Sequence, residues 1–171
     1  MQQLCLLGSV LLLSLPAHAM ACWDEAAQRY GISPQLLYAI ARVESGLKPQ
    51  AINLTHQQRT GSYDIGLMQI NSSNLPALAR HGITEKDLYN PCTSIHVGAW
   101  LLAQTFAKHG LSWEGVGAYN AACTQLKGQD CQRARSSYAW QVYRRLPTSK
   151  DHTQAEPTGA SRFILSARVS P

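Results

Sequence analysis

Apolar residues along this chain recur mostly at helical spacing. Leu36, Leu37, Ile40 and Val43 fall three and four apart, which places them on one face of a helix. Ser33 and Pro34 open that segment and Gly46 closes it. They supply a hydroxyl N-cap, a proline at the first helical position and a glycine suited to a left-handed stop, so a helix over residues 33–45 is predicted. Trp23, Ala26, Ala27 and Tyr30 give a shorter helix over residues 23–30, ended by Gly31. Residues 94–109 are the most apolar stretch, with Ile95, Val97, Ala99, Trp100, Leu101, Leu102 and Phe106 and no charge before Lys108. That pattern predicts the central core helix.

Between these segments the periodicity changes. Residues 47–64 have loop composition, with one candidate strand over 62–65. Residues 66–71 nearly alternate apolar and polar, which reads as extended and puts Gln69 and Asn71 on one side. Ser72 or Ser73 is expected to cap a helix over 75–81, stopped by Gly82, and Thr84 to Asp87 resembles a capping box. Asn90-Pro91 breaks the chain before the core helix. Ser112 starts a short helix that runs into Tyr119 and Asn120, and Ser137 caps an amphipathic helix through Arg145 with aromatics on one face. The sum is an α+β chain, predominantly helical, with a small extended patch.

The two ends read differently. Residues 4–15 are an apolar run followed by Pro16 and Ala17-His18-Ala19, an A-x-A pattern that marks residues 1–19 as a signal peptide. The run is too short for a membrane span, and Met1-Gln2-Gln3 lacks the usual Lys or Arg. From residue 147 onward Ser, Thr, Pro and Gly dominate, the composition of a flexible tail, with Phe163-Ile164-Leu165 as its only apolar cluster. One domain over residues 20–146 remains, with 45% hydrophobic and 15% charged residues in the whole chain, a globular balance. The expected destination is the periplasm, with no transmembrane segment after cleavage.

Four of the five cysteines lie beyond the leader: Cys22, Cys92, Cys123 and Cys131. An even count in an exported chain points to two disulfides, with three pairings open. The favoured pairing closes a short loop with Cys123–Cys131 and ties the N-terminus to the middle with Cys22–Cys92. Zinc is disfavoured because no CxxC pair and no suitably spaced histidine occurs. The net charge of +5 is concentrated late: residues 127–150 hold six Lys and Arg against one Asp. Such a patch suits a carboxylate-bearing polymer or an anionic membrane, or is simply a solvated face. An exported, disulfide-bearing chain with no recognition motif argues against nucleic acid.

Candidate chemistry centres on Glu44, in the last turn of a helix that otherwise lacks acids. The carbonyl end of a helix and partial burial both raise a carboxyl pKa, as a general acid near neutrality requires. The alternative is a solvated glutamate at a helix end. Gln69, Asn71, Tyr119 and Asn120, taken singly, are also compatible with turn chemistry and a satisfied buried hydroxyl.

Together, Glu44-Ser45-Gly46, then Gly66-Leu67-Met68-Gln69-Ile70-Asn71, then Ala118-Tyr119-Asn120-Ala121 resemble the catalytic domain of the soluble-type lytic transglycosylases. These are goose-lysozyme-like enzymes that cleave peptidoglycan, and the resemblance spans about residues 22–146. Ser62-Tyr63-Asp64-Ile65, Asn90-Pro91-Cys92 and His96-Val97-Gly98-Ala99 are similar to a subgroup of small exported enzymes serving type III or type IV secretion, conjugation or pilus assembly. The resemblance implies a lysozyme-like fold and a single catalytic glutamate, without cofactor or metal. Glycosidases ordinarily use two carboxylates, and here only Asp64 is a candidate partner. In this family the substrate's own C6 hydroxyl replaces the second group and the product is a 1,6-anhydro-muramyl end. The implied roles are Glu44 as acid then base, Gln69 and Met68 lining a sugar groove, and Asn71 and Asn120 binding substrate. Tyr119 would lie against the catalytic site, within reach of Glu44, and Ser45 would position Glu44 or sugar. Asp64 would raise the Glu44 pKa or bind substrate hydroxyls, unless it only caps a turn. A hydrolase of the same fold and a non-catalytic wall-binding subunit of the machine are the alternatives.

Overall fold

A computed structural model of the protein describes residues 17–147. Most of the expected leader, and the tail with Phe163-Ile164-Leu165, lie outside the described residues. Seven α-helices are present among them: α1 (Ala17–Tyr30), α2 (Pro34–Glu44), α3 (Gln57–Thr60), α4 (Leu75–Ala79), α5 (Pro91–His109), α6 (Trp113–Asn120) and α7 (Gly128–Tyr143). Three strands of two residues each, β1 (Ile52–Asn53), β2 (Asp64–Ile65) and β3 (Ile70–Asn71), form an antiparallel sheet in the order β1-β2-β3. This is the helix-dominated α+β architecture the periodicity predicts.

The predicted caps explain the helix ends. The Ser33 side chain accepts from the Leu36 amide, Pro34 is the first helical residue of α2, and Gly46 takes a φ of 61° just past its end. Asn90 caps α5 by accepting from the Thr93 amide, so that helix begins at Pro91 rather than 94. Helix α5 is the centre of the packing, as expected: α1, α2, α6 and β3 all rest on it. Ile95, Val97, Ala99 and Leu102 are buried there. The Cys22–Cys92 disulfide fastens α1 to the start of α5, and Cys123–Cys131 joins the α6–α7 connection to the first turn of α7. Both favoured pairings are the ones found.

Five local expectations are corrected. Residues 66–71 are not one extended segment. Gly66 to Gln69 form the tight turn between β2 and β3, closed by the Gln69 amide donating to the Gly66 carbonyl, and only Ile70–Asn71 is strand. Gly66 (φ 75°) and Gln69 (φ 48°) both take left-handed backbone, which reverses the chain where alternation alone suggests it runs straight. Helix α7 starts nine residues before Ser137, because the second disulfide and contacts from α6 anchor a polar first half that has no apolar stripe. Asn71, rather than Ser72 or Ser73, caps the 3₁₀ turn that leads into α4. Residues 57–60, read as loop, form α3. Helix α1 begins at Ala17 and runs across the expected cleavage point.

Candidate active site

The sheet register builds one wall. Asn53 pairs with Asp64 and Asp64 with Asn71, so these polar residues stand in a row across three strands. Ile65 and Ile70 occupy the other register and are buried. The Asp64 carboxylate accepts from Asn71 Nδ2 at 2.8 Å and from Asn53 Nδ2 at 3.3 Å, with His56 Nε2 3.7 Å away. Asp64 is thus tied to side-chain amides, not to turn amides. The opposite wall comes from the end of α6 and the α6–α7 connection. Between them runs a groove of about 1260 Å³, lined by Glu44, Asp64, Gln69, Asn71, Tyr119 and Asn120, among others.

Glu44 ends α2 at this groove. Its Oε1 accepts a hydrogen bond from the Tyr138 hydroxyl of α7. Burial raises the Glu44 pKa to about 7. The Tyr138 hydrogen bond opposes that shift and the negative charge of Asp64 adds to it. Burial and the same Glu44 charge push the Tyr138 hydroxyl well above its ordinary value, so it remains a donor at any working pH.

The turn Gly66–Gln69 is the fixture to which the motifs attach. Ser45 Oγ donates to the Leu67 carbonyl at 2.7 Å, and the Tyr119 hydroxyl donates to the Met68 carbonyl at 3.0 Å. The Met68 amide donates to the buried Ser94 Oγ of α5 at 3.1 Å. Gln69 Nε2 donates to the Gly66 carbonyl at 2.8 Å. Gly66 lies so close to α5's approach that an added Cβ would come within 2.2 Å of the Leu88 carbonyl oxygen.

The expected site residues divide accordingly. Glu44, Asp64, Gln69, Asn71, Tyr119 and Asn120 converge on one groove. Ser45 holds the turn after α2 to the hairpin through its hydroxyl. Met68 departs from its expected role. Its side chain is fully buried and seated on Gly98, where a Cβ would lie 2.8 Å from its terminal methyl. The residue contributes its carbonyl and amide to the scaffold instead of lining the groove. Tyr119 is raised well above the ordinary tyrosine value by burial and the Glu44 and Asp64 charges, yet bonds Met68 and not Glu44.

The tyrosine that touches the acid is Tyr138, which sequence reasoning placed among the apolar aromatics of α7. Its position gives no sign of a polar contact, since a tyrosine packed in the core and one that bonds a carboxyl share the same helical face. Asn53 and His56 were missed for a different reason: they lie in a stretch with no periodicity, and only strand pairing brings them beside Asp64. Arg135 is buried as well, its Nε donating to the Ala121 carbonyl and its guanidinium paired with Glu114, which fastens the α6–α7 wall.

Comparison with known proteins agrees with this geometry. Residues 21–140 match the transglycosylase SLT domain. The chain is 44% identical over 138 residues to invasion protein IagB of Salmonella typhi, covering 80% of this chain and 84% of that protein. It is 41% identical over 138 residues to protein IpgF of Shigella flexneri, covering 80% and 86%. A peptidoglycan-binding-like protein of Escherichia coli O157:H7 is 37% identical over 140 residues, covering 79% and 81%. An inactive mutant of the lytic transglycosylase Slt from Pseudomonas aeruginosa superposes with a TM-score of 0.57 at 22% identity, over 77% of this chain and 23% of that longer one, a likeness of fold. With the family match, the relatives and the acid-bearing groove together, the chain belongs to the SLT transglycosylase family and is a lytic transglycosylase of lysozyme-like fold.

Proposed function

We propose that the protein is an exported enzyme that cleaves the β-1,4 bond between N-acetylmuramic acid and N-acetylglucosamine in peptidoglycan, opening the wall locally for a secretion, conjugation or pilus machine. The observation that carries the reading is Glu44, a carboxyl with a pKa of about 7 in a groove that it shares with Asp64. At neutral pH such a group is divided between its acid and its base, so one residue serves both halves of the reaction. Glu44 donates its proton to the glycosidic oxygen as the bond to the muramyl anomeric carbon breaks. It then takes the proton of the C6 hydroxyl as that oxygen bonds the same carbon, and no water is consumed. Tyr138 occupies Oε1, which leaves Oε2 for the substrate.

Asp64 has both oxygens engaged by Asn53 and Asn71, which suits a fixed negative charge better than a nucleophile. Gln69, Asn71 and Asn120 line the groove where the sugars' hydroxyl and N-acetyl groups would lie, with Gln69 and Asn71 held in place by their bonds to Gly66 and Asp64. The two disulfides suit an oxidising compartment. Among the described residues no helix is long and apolar enough to cross a membrane. The invasion-protein name borne by a 44% identical relative supports service to an envelope machine.

The test is mass spectrometry of purified peptidoglycan digested with the mature protein, beside Glu44→Gln. Anhydro-muropeptides from the wild type alone are expected. Reducing-end muropeptides would make it a hydrolase, with Asp64 as the second carboxylate of the same groove. Equal product from both proteins would remove Glu44 from the chemistry.

A further inference from the structure

We propose that the exposed aromatic face of α7, together with the pocket between the end of α7 and α2, is a docking surface for an acidic, aromatic-bearing segment of a partner protein. Trp113, Trp140 and Tyr143 are 41%, 61% and 52% exposed, so three large rings lie open at one surface. They are not loose: Tyr143 meets Trp113 at 5.6 Å and Trp140 at 5.3 Å between ring centroids, edge to face in both cases. Exposed, pre-ordered Trp and Tyr beside Arg is the residue set that anchors protein interfaces.

On the side of α7 facing α2 lies a separate pocket of about 470 Å³, lined by Val43, Ser137, Gln141, Arg144 and Arg145. The two arginines within α7 are neutralised, Arg133 by Asp130 and Arg135 by Glu114. Arg144 and Arg145 have no acidic partner among the described residues. A concave pocket lined by two arginines without acidic partners fits a carboxylate side chain, which a guanidinium grips with paired hydrogen bonds. A flat plane of lipid headgroups would meet the pocket's rim and leave its interior empty. The adjoining aromatic ridge takes an apolar or aromatic neighbour of that carboxylate.

The surface is distinct from the catalytic groove, which none of these residues lines. It is nevertheless close to the acid in the chain. Val43 precedes Glu44 and Ser137 precedes Tyr138, so a segment seated in the pocket bears on the two helices that make the Glu44–Tyr138 hydrogen bond.

Fluorescence anisotropy with a labelled random copolymer of glutamate and tyrosine tests the proposal, with polyglutamate as the charge-only comparison. The mature protein is expected to bind the copolymer more tightly than polyglutamate. Arg144→Glu with Arg145→Glu should weaken that binding at least about tenfold, and Trp140→Ala by a similar factor, with peptidoglycan digestion unchanged. The charge-matched change of exposed Arg80→Glu with Lys86→Glu should alter it by less than about twofold, because rim and remote charges contribute little. Equal losses in the two charge variants, or no preference for the copolymer, overturn the proposal. Stronger retention by phosphatidylglycerol vesicles than by the copolymer overturns it in favour of a lipid surface. Binding that emerges only when residues 148–171 are removed overturns it in favour of the chain's own C-terminal segment.

Discussion

Tyr138 and Glu44 stand 94 residues apart in the sequence and share one hydrogen bond in the fold. The tyrosine donates, so the contact favours the ionised carboxyl, while burial favours the protonated one and prevails. The acid is therefore balanced between opposing influences, and each can be removed separately.

Replacing Tyr138 by Phe deletes the donor and should raise the Glu44 pKa above about 7. The alkaline limb of the pH–rate profile, where the proton needed for the first step is lost, should move upward. Asp64→Asn removes a like charge and should move that limb downward. Shifts in the same direction for both variants would contradict the assignment of these two influences.

Glu44→Gln should lower turnover by about a hundred- to ten-thousandfold, the range of a general acid. Its effect on stability has a definite sign. The folded carboxyl holds its proton up to about pH 7, against 4.5 in the unfolded chain. Wild-type stability is therefore full below about pH 4.5 and falls as pH rises through 7, by about 3 kcal/mol in all at about 1.4 kcal/mol per pKa unit. The glutamine variant escapes that loss. Thermal melts should coincide near pH 4 and favour the variant at pH 8; a variant melting lower at pH 8 would make Glu44 a structural residue.

Gly66→Ala should destabilise the protein by about 2–4 kcal/mol, because the added methyl meets the Leu88 carbonyl and the left-handed φ resists a side chain. Activity should fall with it, since Ser45, Tyr119 and Ser94 all bond this turn. Urea unfolding followed by intrinsic fluorescence gives the measure, and a midpoint equal to wild type would count against the turn as the anchor of the site.

Reduction should cost about 4 kcal/mol through Cys22–Cys92, whose separation of 70 residues makes it the larger constraint on the unfolded chain. Cys123–Cys131 closes only 8 residues and should contribute less. Parallel melts of Cys22→Ala/Cys92→Ala and Cys123→Ala/Cys131→Ala proteins should rank them in that order.

What the sequence announced was local: the caps of α2, the apolar run of α5, the acid at a helix end and the order of three motifs. What it withheld was non-local. Alternation in residues 66–71 suggested a strand, yet left-handed Gly66 and Gln69 fold that stretch into a turn, and Met68 is drawn into the core where Gly98 leaves room. Helix α7 begins among residues with no apolar face because a disulfide and the buried Arg135 substitute for one. Tyr138 reads as core from its own helix and acquires a polar task only when α2 arrives opposite it.

That arrival has a consequence for timing. Ser45 reaches Leu67 across 22 residues and Tyr119 reaches Met68 across 51, whereas Glu44 and Tyr138 must close a loop of 94. Longer closures cost more entropy and tend to follow the shorter ones. Before α7 docks, Glu44 lacks both the Tyr138 donor and the cover that this helix gives α2. The surroundings of the acid are therefore completed by the longest of these closures, and not by the local turn that ends α2.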